Sequence, residues 1–262
     1  MTSCFVDREH YYTNPEGARS MRVIIFDYER ASAILCLSSR WAVFMNSLVS
    51  VVVPFYNEED NVAPLLERVE AVFAGMPEYD YECLFVNDGS TDGTRARLES
   101  ARERNARVRP IHLVRNRGQS AALVAGMRRA KGDYILTLDG DLQNDPCDFP
   151  KFLALLKEYD CVCGYRANRQ DSWVRKISSK IGNGARQRIL NDGIRDAGCG
   201  SKGFRRKCVE HIIPFNGVHR YFAVMMRNGG MTIAECPVTH HPRVHGVSKY
   251  GINNRLWRGI YD

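Results

Sequence analysis

Two aspartates one residue apart, Asp139 and Asp141, flank Gly140 directly after the apolar run that ends at Leu138. Hard divalent cations prefer oxygen ligands, and Mg²⁺ or Mn²⁺ takes one or two carboxylates together with phosphate oxygens. An ion held this way neutralises a diphosphate leaving group. Asp-Gly-Asp also reads as a plain turn closed by an Asx hydrogen bond. Its place at a strand end, followed by Gln143 and Asn144-Asp145-Pro146, favours the metal reading. A second cluster is Pro54-Phe-Tyr-Asn-Glu-Glu59. There Tyr56 can lie against a base and Glu58 can accept from a base or ribose. The same residues also suit a helix start, with Asn57 as cap and acids at the positive end of the dipole. A third cluster is Asn87-Asp-Gly-Ser-Thr-Asp92, where Asp88 either accepts from a nucleotide or belongs to a capped loop.

The elements that must position these residues are legible from periodicity. Leu48–Val53 is a continuous β-branched run, typical of a strand buried on both faces. Pro54 ends it, and Val62 to Phe73 carries apolar residues at helical spacing. Tyr81–Val86 predicts a second strand and Thr94–Arg104 a helix. Arg109–Val114 predicts a third strand, Ser120–Arg129 a helix, and Tyr134–Leu138 a fourth strand. Four strand–helix alternations with short loops predict a parallel, doubly wound α/β sheet. Ligands in such sheets bind beyond the C-terminal strand ends. The three polar clusters follow Val53, Val86 and Leu138, so all three fall at such ends.

Beyond Pro150 the pattern loosens. A helix over Phe152–Tyr159, a short strand over Cys161–Gly164 and a basic amphipathic helix over Trp173–Leu190 are expected. Phe204, Ile212 and Pro214 mark further short elements. Residues 1–46 carry no clear periodicity and are expected to be an N-terminal extension ahead of one catalytic domain, 47–262. Met45 stands just before the first strand and is a possible alternative start.

The 262 residues carry a net charge of +7, which points to an anionic partner: a nucleotide, a lipid phosphate or a membrane surface. Nucleic acid would explain the charge as well, but no RRM, KH or zinc motif is present. Arg166, Arg175, Lys202, Arg205, Arg220, Arg243 and Lys249 suit the surroundings of two phosphate groups, because Arg forks bind phosphate bidentately. A solvated basic face is the alternative for each. His219 and His245 have no second ligand at metal-site spacing and read as structural. The nine cysteines read as reduced, buried thiols. The apolar stretch Ala31–Leu48 is broken by Arg40 and serines, too polar to span a bilayer.

Taken together, the three clusters resemble the family 2 glycosyltransferases of the GT-A fold, whose usual forms are P-x-Y-N-E, D-D-G-S-x-D and D-x-D. Asn87 stands where that family usually has the first of two aspartates. Leu113-Val-Arg-Asn-Arg-Gly-Gln-Ser-Ala-Ala122, Asp139-Gly-Asp-Leu-Gln143, Gly164-Tyr-Arg166, His219-Arg-Tyr221 and Ser248-Lys-Tyr250 narrow the resemblance. They look like the polyprenyl-phosphate glycosyltransferases, a group that includes dolichol-phosphate mannosyltransferases and undecaprenyl-phosphate sugar transferases. The resemblance covers the chain from about Val49 onward. It implies a Rossmann-like, mostly parallel sheet flanked by helices, with a more irregular acceptor-binding second half. It implies that Asp139, Asp141 and Gln143 hold or surround Mg²⁺ or Mn²⁺, and that Pro54, Tyr56, Glu58, Asp88 and Gly140 line the nucleotide. Arg166, Arg175 and Ser179 then map to the phosphates, and Arg243 and Lys249 close over the diphosphate. Asp196, in Asp-Ala-Gly-Cys-Gly200, matches an aspartate facing the acceptor, as a base or an orienting group.

The expected reaction is an inverting transfer from a UDP- or GDP-sugar to a polyprenyl phosphate at the cytoplasmic membrane face. A phosphate acceptor with a second pKa of about 6 is already anionic. It needs alignment and charge neutralisation more than a base. Two rivals remain open: a GT-A transferase with a soluble or cell-wall sugar acceptor, and a non-catalytic nucleotide- or nucleic-acid-binding module. Bacterial relatives carry membrane helices after the Ser-Lys-Tyr segment, so a continuation into such helices, or a membrane partner subunit, is expected. Asn253–Tyr261, with Trp257 and Tyr261 among arginines, suits a headgroup interface or an ordinary packed helix.

Overall fold

A computed structural model describes residues 46–167 and 193–242. Its central strand is β1, Ser47–Phe55, in which Val49, Val51, Val52, Val53 and Phe55 are wholly buried. Strand periodicity divides them: Val49, Val51, Val53 and Phe55 enter one apolar layer and Val52 the other. β2, Tyr79–Asn87, splits in the same way, with Cys83 and Phe85 on one side and Leu84 and Val86 on the other. A sheet apolar on both faces must be covered on both. Helices α1 (Val62–Ala74), α2 (Thr94–Arg104) and α4 (Phe149–Leu156) supply the first layer. Helices α3 (Gln119–Arg129) and α5 (Phe222–Asn228) supply the second.

The remaining strands are β3 (Val108–His112), β4 (Tyr134–Thr137), β5 (Cys161–Arg166), β6 (Lys202–Arg205) and β7 (Ile233–Val238). Among the described residues they form a seven-stranded sheet in the order β3-β2-β1-β4-β6-β5-β7. β1 to β4 are mutually parallel, as the alternation predicts. β6 departs from that pattern by lying antiparallel between β4 and β5.

Several boundaries differ from the sequence reading. β1 runs through Pro54 to Phe55, so Pro54 does not end it. β3 stops at His112, two residues short, and leaves Val114 fully exposed in the following loop. α4 begins at Phe149, because Pro150 sits in its first turn, where a missing N–H costs nothing. α5 and β7 had no clear periodicity to announce them. The basic helix expected over 173–190 lies outside the described residues.

α3 packs onto β1 and β2 through Gly126. A Cβ there would stand 2.4 Å from a Val52 methyl and 3.1 Å from one of Val86. Both are stiff β-branched side chains on buried strands, with little room to yield. Gly126→Ala should therefore destabilise the chain by about 1–3 kcal/mol, although alanine is the better helix former. Urea denaturation would measure it, and a gain in stability would show that α3 shifts freely on the sheet.

Candidate active site

Parallel pairing fixes the site's location. Phe55 is in register with Asn87, and Val52 with Thr137, so the loops after β1, β2 and β4 leave the same edge. The first two are tied together. The backbone N–H of Asn57 donates to Ser90 Oγ at 3.0 Å, and Thr91 N–H donates to Asn57 Oδ1 at 2.8 Å. Glu58 N–H donates to Thr94 Oγ1, and Glu59 receives the N–H of Gly93, each at 2.9 Å. Asn57 therefore does not cap the helix that follows it; it holds the neighbouring loop, from a left-handed φ of 52° that asparagine tolerates. The Glu58 side chain accepts from Asn61 Nδ2.

The second loop is tied to a third. Asp88 accepts the N–H groups of Arg117 at 2.7 Å and Gly118 at 2.8 Å, one on each oxygen. Any nucleotide contact by Asp88 has to use its remaining lone pairs. Gly89 at φ 66° lies so close to Arg115 and Asn116 that a Cβ would overlap their backbone. The segment Arg115–Gly118 leads into α3, whose first residue, Gln119, donates through Nε2 to Asp139 Oδ1 at 2.6 Å.

Asp139 is the focus of the site. Burial raises its carboxyl, Asp141 raises it further, and Lys202, Arg166 and the Gln119 hydrogen bond act against both; the result is about 6. Its surroundings are shaped by two glycines. A Cβ on Gly140 would meet the Pro54 carbonyl and the Phe55 ring, each at 2.8 Å, so the residue between the two aspartates has to be small. A Cβ on Gly200 would overlap the Asp139 carboxylate itself. Leu142, at φ 59° and buried in the core, anchors the far side of the turn in a conformation costly for leucine. Gln143 donates its backbone N–H to Asp141 Oδ1 and its side-chain amide to the His241 carbonyl, at 3.4 Å. His241 returns its N–H to the Gln143 carbonyl and pairs with Asp145 at 2.9 Å.

On the opposite wall, Arg166 grips Asp196 through two bonds, Nε to Oδ2 at 2.7 Å and Nη2 to Oδ1 at 2.9 Å. Lys202 is buried, and its ammonium donates to the carbonyls of Ala197 and Cys199. It therefore shapes the 196–201 loop, where a phosphate contact had been expected. Arg205 is also reassigned. Register with Tyr134 puts it at the other end of β4, where it donates to the carbonyls of Leu156 and Lys157 at the end of α4. His219 is structural, as expected: burial lowers its pKa to about 3, and Nδ1 faces Ser120 Oγ at 2.7 Å. Pro54 lies within β1, its carbonyl close to Gly140, and Tyr56 follows in the first loop. Arg175, Ser179, Arg243, Lys249 and His245 lie outside the described residues.

Sequence reasoning assigned no role to Gln119 or Gly200. Gln119 was visible only as part of the Arg-Asn-Arg-Gly-Gln stretch. Nothing in the chain around Gly200 announces a neighbour about 60 residues earlier.

Among the described residues, no group of three or more His, Cys, Asp or Glu forms a closed metal cage. Two carboxylates suit Mg²⁺ or Mn²⁺, which completes its shell with phosphate oxygens and water. Burial and the neighbouring Asp141 make the ionised Asp139 carboxyl costly, which such an ion would relieve, and the donor set fits it.

The family model described as glycosyl transferase family 2 matches residues 50–213. The chain belongs to this family. This family 2 chain is 42% identical, over 82% of its length and 64% of the relative's, to the dodecaprenyl-phosphate galacturonate synthase of Rhizobium johnstonii. It is 37% identical, over 82% of itself and 66% of the relative, to the undecaprenyl-phosphate 4-deoxy-4-formamido-L-arabinose transferase of Edwardsiella ictaluri. The chain thus spans just under two thirds of the length of these relatives. Among solved structures, the glucosyl-3-phosphoglycerate synthase of Mycobacterium tuberculosis, in complex with Mn²⁺, uridine diphosphate and glucosyl-3-phosphoglycerate, superposes with a TM-score of 0.61. That match has 18% identity and covers 81% of this chain and 76% of that one. It shows the GT-A fold.

The site makes a stability prediction. The Asp139 carboxyl titrates higher in the folded chain than the ordinary value of about 3.9, so its ionised form costs stability, increasingly as pH rises through 6. Asp139→Asn should raise the melting temperature of the metal-free chain at pH 7 by a few degrees, since about 1 kcal/mol moves a chain of this size ~2–4 °C. The gain should fade by pH 4.5, where Asp139 is protonated. A variant less stable at pH 7 would mean that the carboxylate is already neutralised within the protein.

Proposed function

We propose that this chain transfers a sugar from a nucleotide diphosphate donor to a polyprenyl phosphate, with Mg²⁺ or Mn²⁺ held by Asp139 and Asp141. The observation that carries this is the pair of crowded carboxylates at the C-terminal end of β4, in a family 2 chain. The curated relatives at 37–42% identity are named for polyprenyl-phosphate sugar transfer. The M. tuberculosis synthase was crystallised with Mn²⁺ and uridine-diphosphate-glucose. A cation held by Asp139 and Asp141 would neutralise charge that develops on the diphosphate leaving group. Gln119 fixes the orientation of Asp139. The tied loops after β1 and β2, with Pro54, Tyr56, Glu58 and Asp88, form the nucleotide wall. Gly140 lets the backbone approach that wall closely, and Gln143 ties the metal turn to the 239–241 segment. That segment leads directly to Arg243, and with Lys249 it is assigned to the diphosphate; Arg175 and Ser179 are assigned to the same charge.

Asp196 supports a phosphate acceptor over a hydroxyl. Both its oxygens accept from Arg166, which gives it the role of orienting that cation. An acceptor hydroxyl needs a general base, whereas an acceptor phosphate is already ionised and needs a cation to align it. Arg166, aimed by Asp196 and close enough to Asp139 to feel its charge, can do that. The reaction is placed at the cytoplasmic face of a membrane, where polyprenyl phosphate and nucleotide sugars meet. No helix among the described residues is long and apolar enough to cross a bilayer. Nucleic acid is not proposed as a partner.

The test is transfer of labelled sugar from UDP- or GDP-sugars into an organic-extractable polyprenyl phosphate. Asp141→Asn should lower the rate on the order of a thousandfold, because losing the cation removes several kcal/mol of leaving-group stabilisation. EDTA should abolish transfer, and Mn²⁺ or Mg²⁺ should restore it. Full activity in EDTA, or label passing only to water-soluble sugars, would overturn the reading.

A further inference from the structure

Three large apolar side chains stand out to solvent among the described residues: Val114 at 102% exposure, Ile213 at 68% and Phe215 at 42%. They occupy two loops that flank the start of α3. Val114 opens the exposed tip Val114–Arg117 of the loop between β3 and α3. Ile213 and Phe215 lie in the exposed stretch 213–216. The second loop is fastened to α3 through Ser120, whose hydroxyl accepts the Gly217 N–H at 3.0 Å and meets His219 at 2.7 Å.

The first tip is held out rather than loose. Leu113 N–H donates to the Asn87 carbonyl at 2.9 Å, and Arg117 N–H donates to Asp88. Gly89 presses on Arg115 and Asn116 from behind. A valine fixed at full exposure gains nothing inside this chain. Its neighbours Arg115 and Arg117 are exposed as well. Residues 104–132 and 211–234, which carry both loops and both helices of this layer, contain neither Asp nor Glu. Burial holds His219 neutral in the second loop. The face is apolar at its tips and cationic around them, neither segment carries an acid of its own, and Asp88, which binds the tip's backbone, is buried beneath it; such a face is complementary to an anionic lipid surface.

We infer that the loops Val114–Arg117 and Ile213–Phe215 form a membrane-docking face, with Val114, Ile213 and Phe215 entering the headgroup layer and Arg115 and Arg117 meeting lipid phosphates. The inference rests on the proposed lipid acceptor and adds which face meets it. It also fits the site. Gln119, at the start of α3, touches Asp139, so a bilayer against these loops brings a lipid-borne phosphate to the carboxylate pair without lifting the lipid out.

The experiment is flotation of the full chain with vesicles of phosphatidylcholine containing 30–40% phosphatidylglycerol, on the order of physiological anionic leaflets. Val114→Asp with Phe215→Asp should lower partitioning at least tenfold. Arg115→Ala and Arg117→Ala should each lower it about fivefold, the effect of one basic group near such a surface. Raised salt should weaken wild-type binding. Arg102→Ala, on the opposite helix layer, is the control and should change nothing. These loop residues are exposed, so folding is not at risk, and a Mn²⁺-dependent thermal shift with UDP or GDP in each variant confirms an intact site. Unchanged partitioning in the double Asp variant would overturn the docking face while leaving the transferase reading standing. Loss of the nucleotide shift in wild type would instead sink the transferase reading. Equal binding to neutral vesicles, or retention on RNA without vesicle binding, would overturn the inference. So would a Val114→Cys thiol that resists maleimide without lipid, read by peptide mass spectrometry, because the tip would then be covered by another part of the chain.

Discussion

Two carboxylates crowded at the end of β4 are the interaction on which the rest of this structure depends. Asp139 is buried enough to lose much of its hydration and close enough to Asp141 to feel a like charge, and both effects raise its carboxyl. A fold that wanted only stability would place neither residue there. Around the pair the chain arranges partial compensation: the Gln119 amide by contact, Lys202 and Arg166 through space. The buried Asp139 carboxylate, with a like charge beside it, is what a divalent cation can relieve.

Much of the surrounding architecture keeps that turn in place. Gly140 and Gly200 allow two backbones to close on Asp139, and Leu142 bears a left-handed conformation while its side chain is held in the core. Local strain of this kind persists only where surrounding packing over-determines it. On the neighbouring strands, the loops after β1, β2 and β3 are linked in series, by Asn57 to Ser90 and Thr91, then by Asp88 to Arg117 and Gly118. The chain of contacts ends at Gln119 and therefore at Asp139. A wall suited to a nucleotide and a turn suited to a metal are thus one connected unit, and displacement of one loop is felt by the next.

The second half of the chain contributes differently. β6 enters antiparallel beside β4 and brings the 196–201 loop over the carboxylates. Lys202 gathers the carbonyls of that loop from beneath, and Asp196 aims Arg166. Buried ion pairs of this sort are weak sources of stability but good devices for fixing orientation. The apolar tips beside α3 belong to the same economy of placement, since they lie next to the helix start that touches the site.

The sequence by itself determined the parallel half of the sheet and the edge at which the three polar clusters meet. Continuous β-branched strands alternating with helical periodicity leave few arrangements, and polar clusters at three strand ends then share one edge. It also singled out Asp139 and Asp141 as candidate metal ligands, because such ligands must stand close together and these are close along the chain. What only the tertiary structure decided are the partnerships between residues far apart in sequence. Asp88 turned out to shape the Arg117–Gly118 backbone, and Asn57 to hold a neighbouring loop. Asp196 is paired with Arg166, and Lys202 and Arg205 serve carbonyls. The antiparallel direction of β6, and α5 and β7 altogether, were equally hidden. Short segments buried by their neighbours carry no period of their own, and a side chain's lone pairs and protons are assigned by whatever the fold brings within about 3 Å.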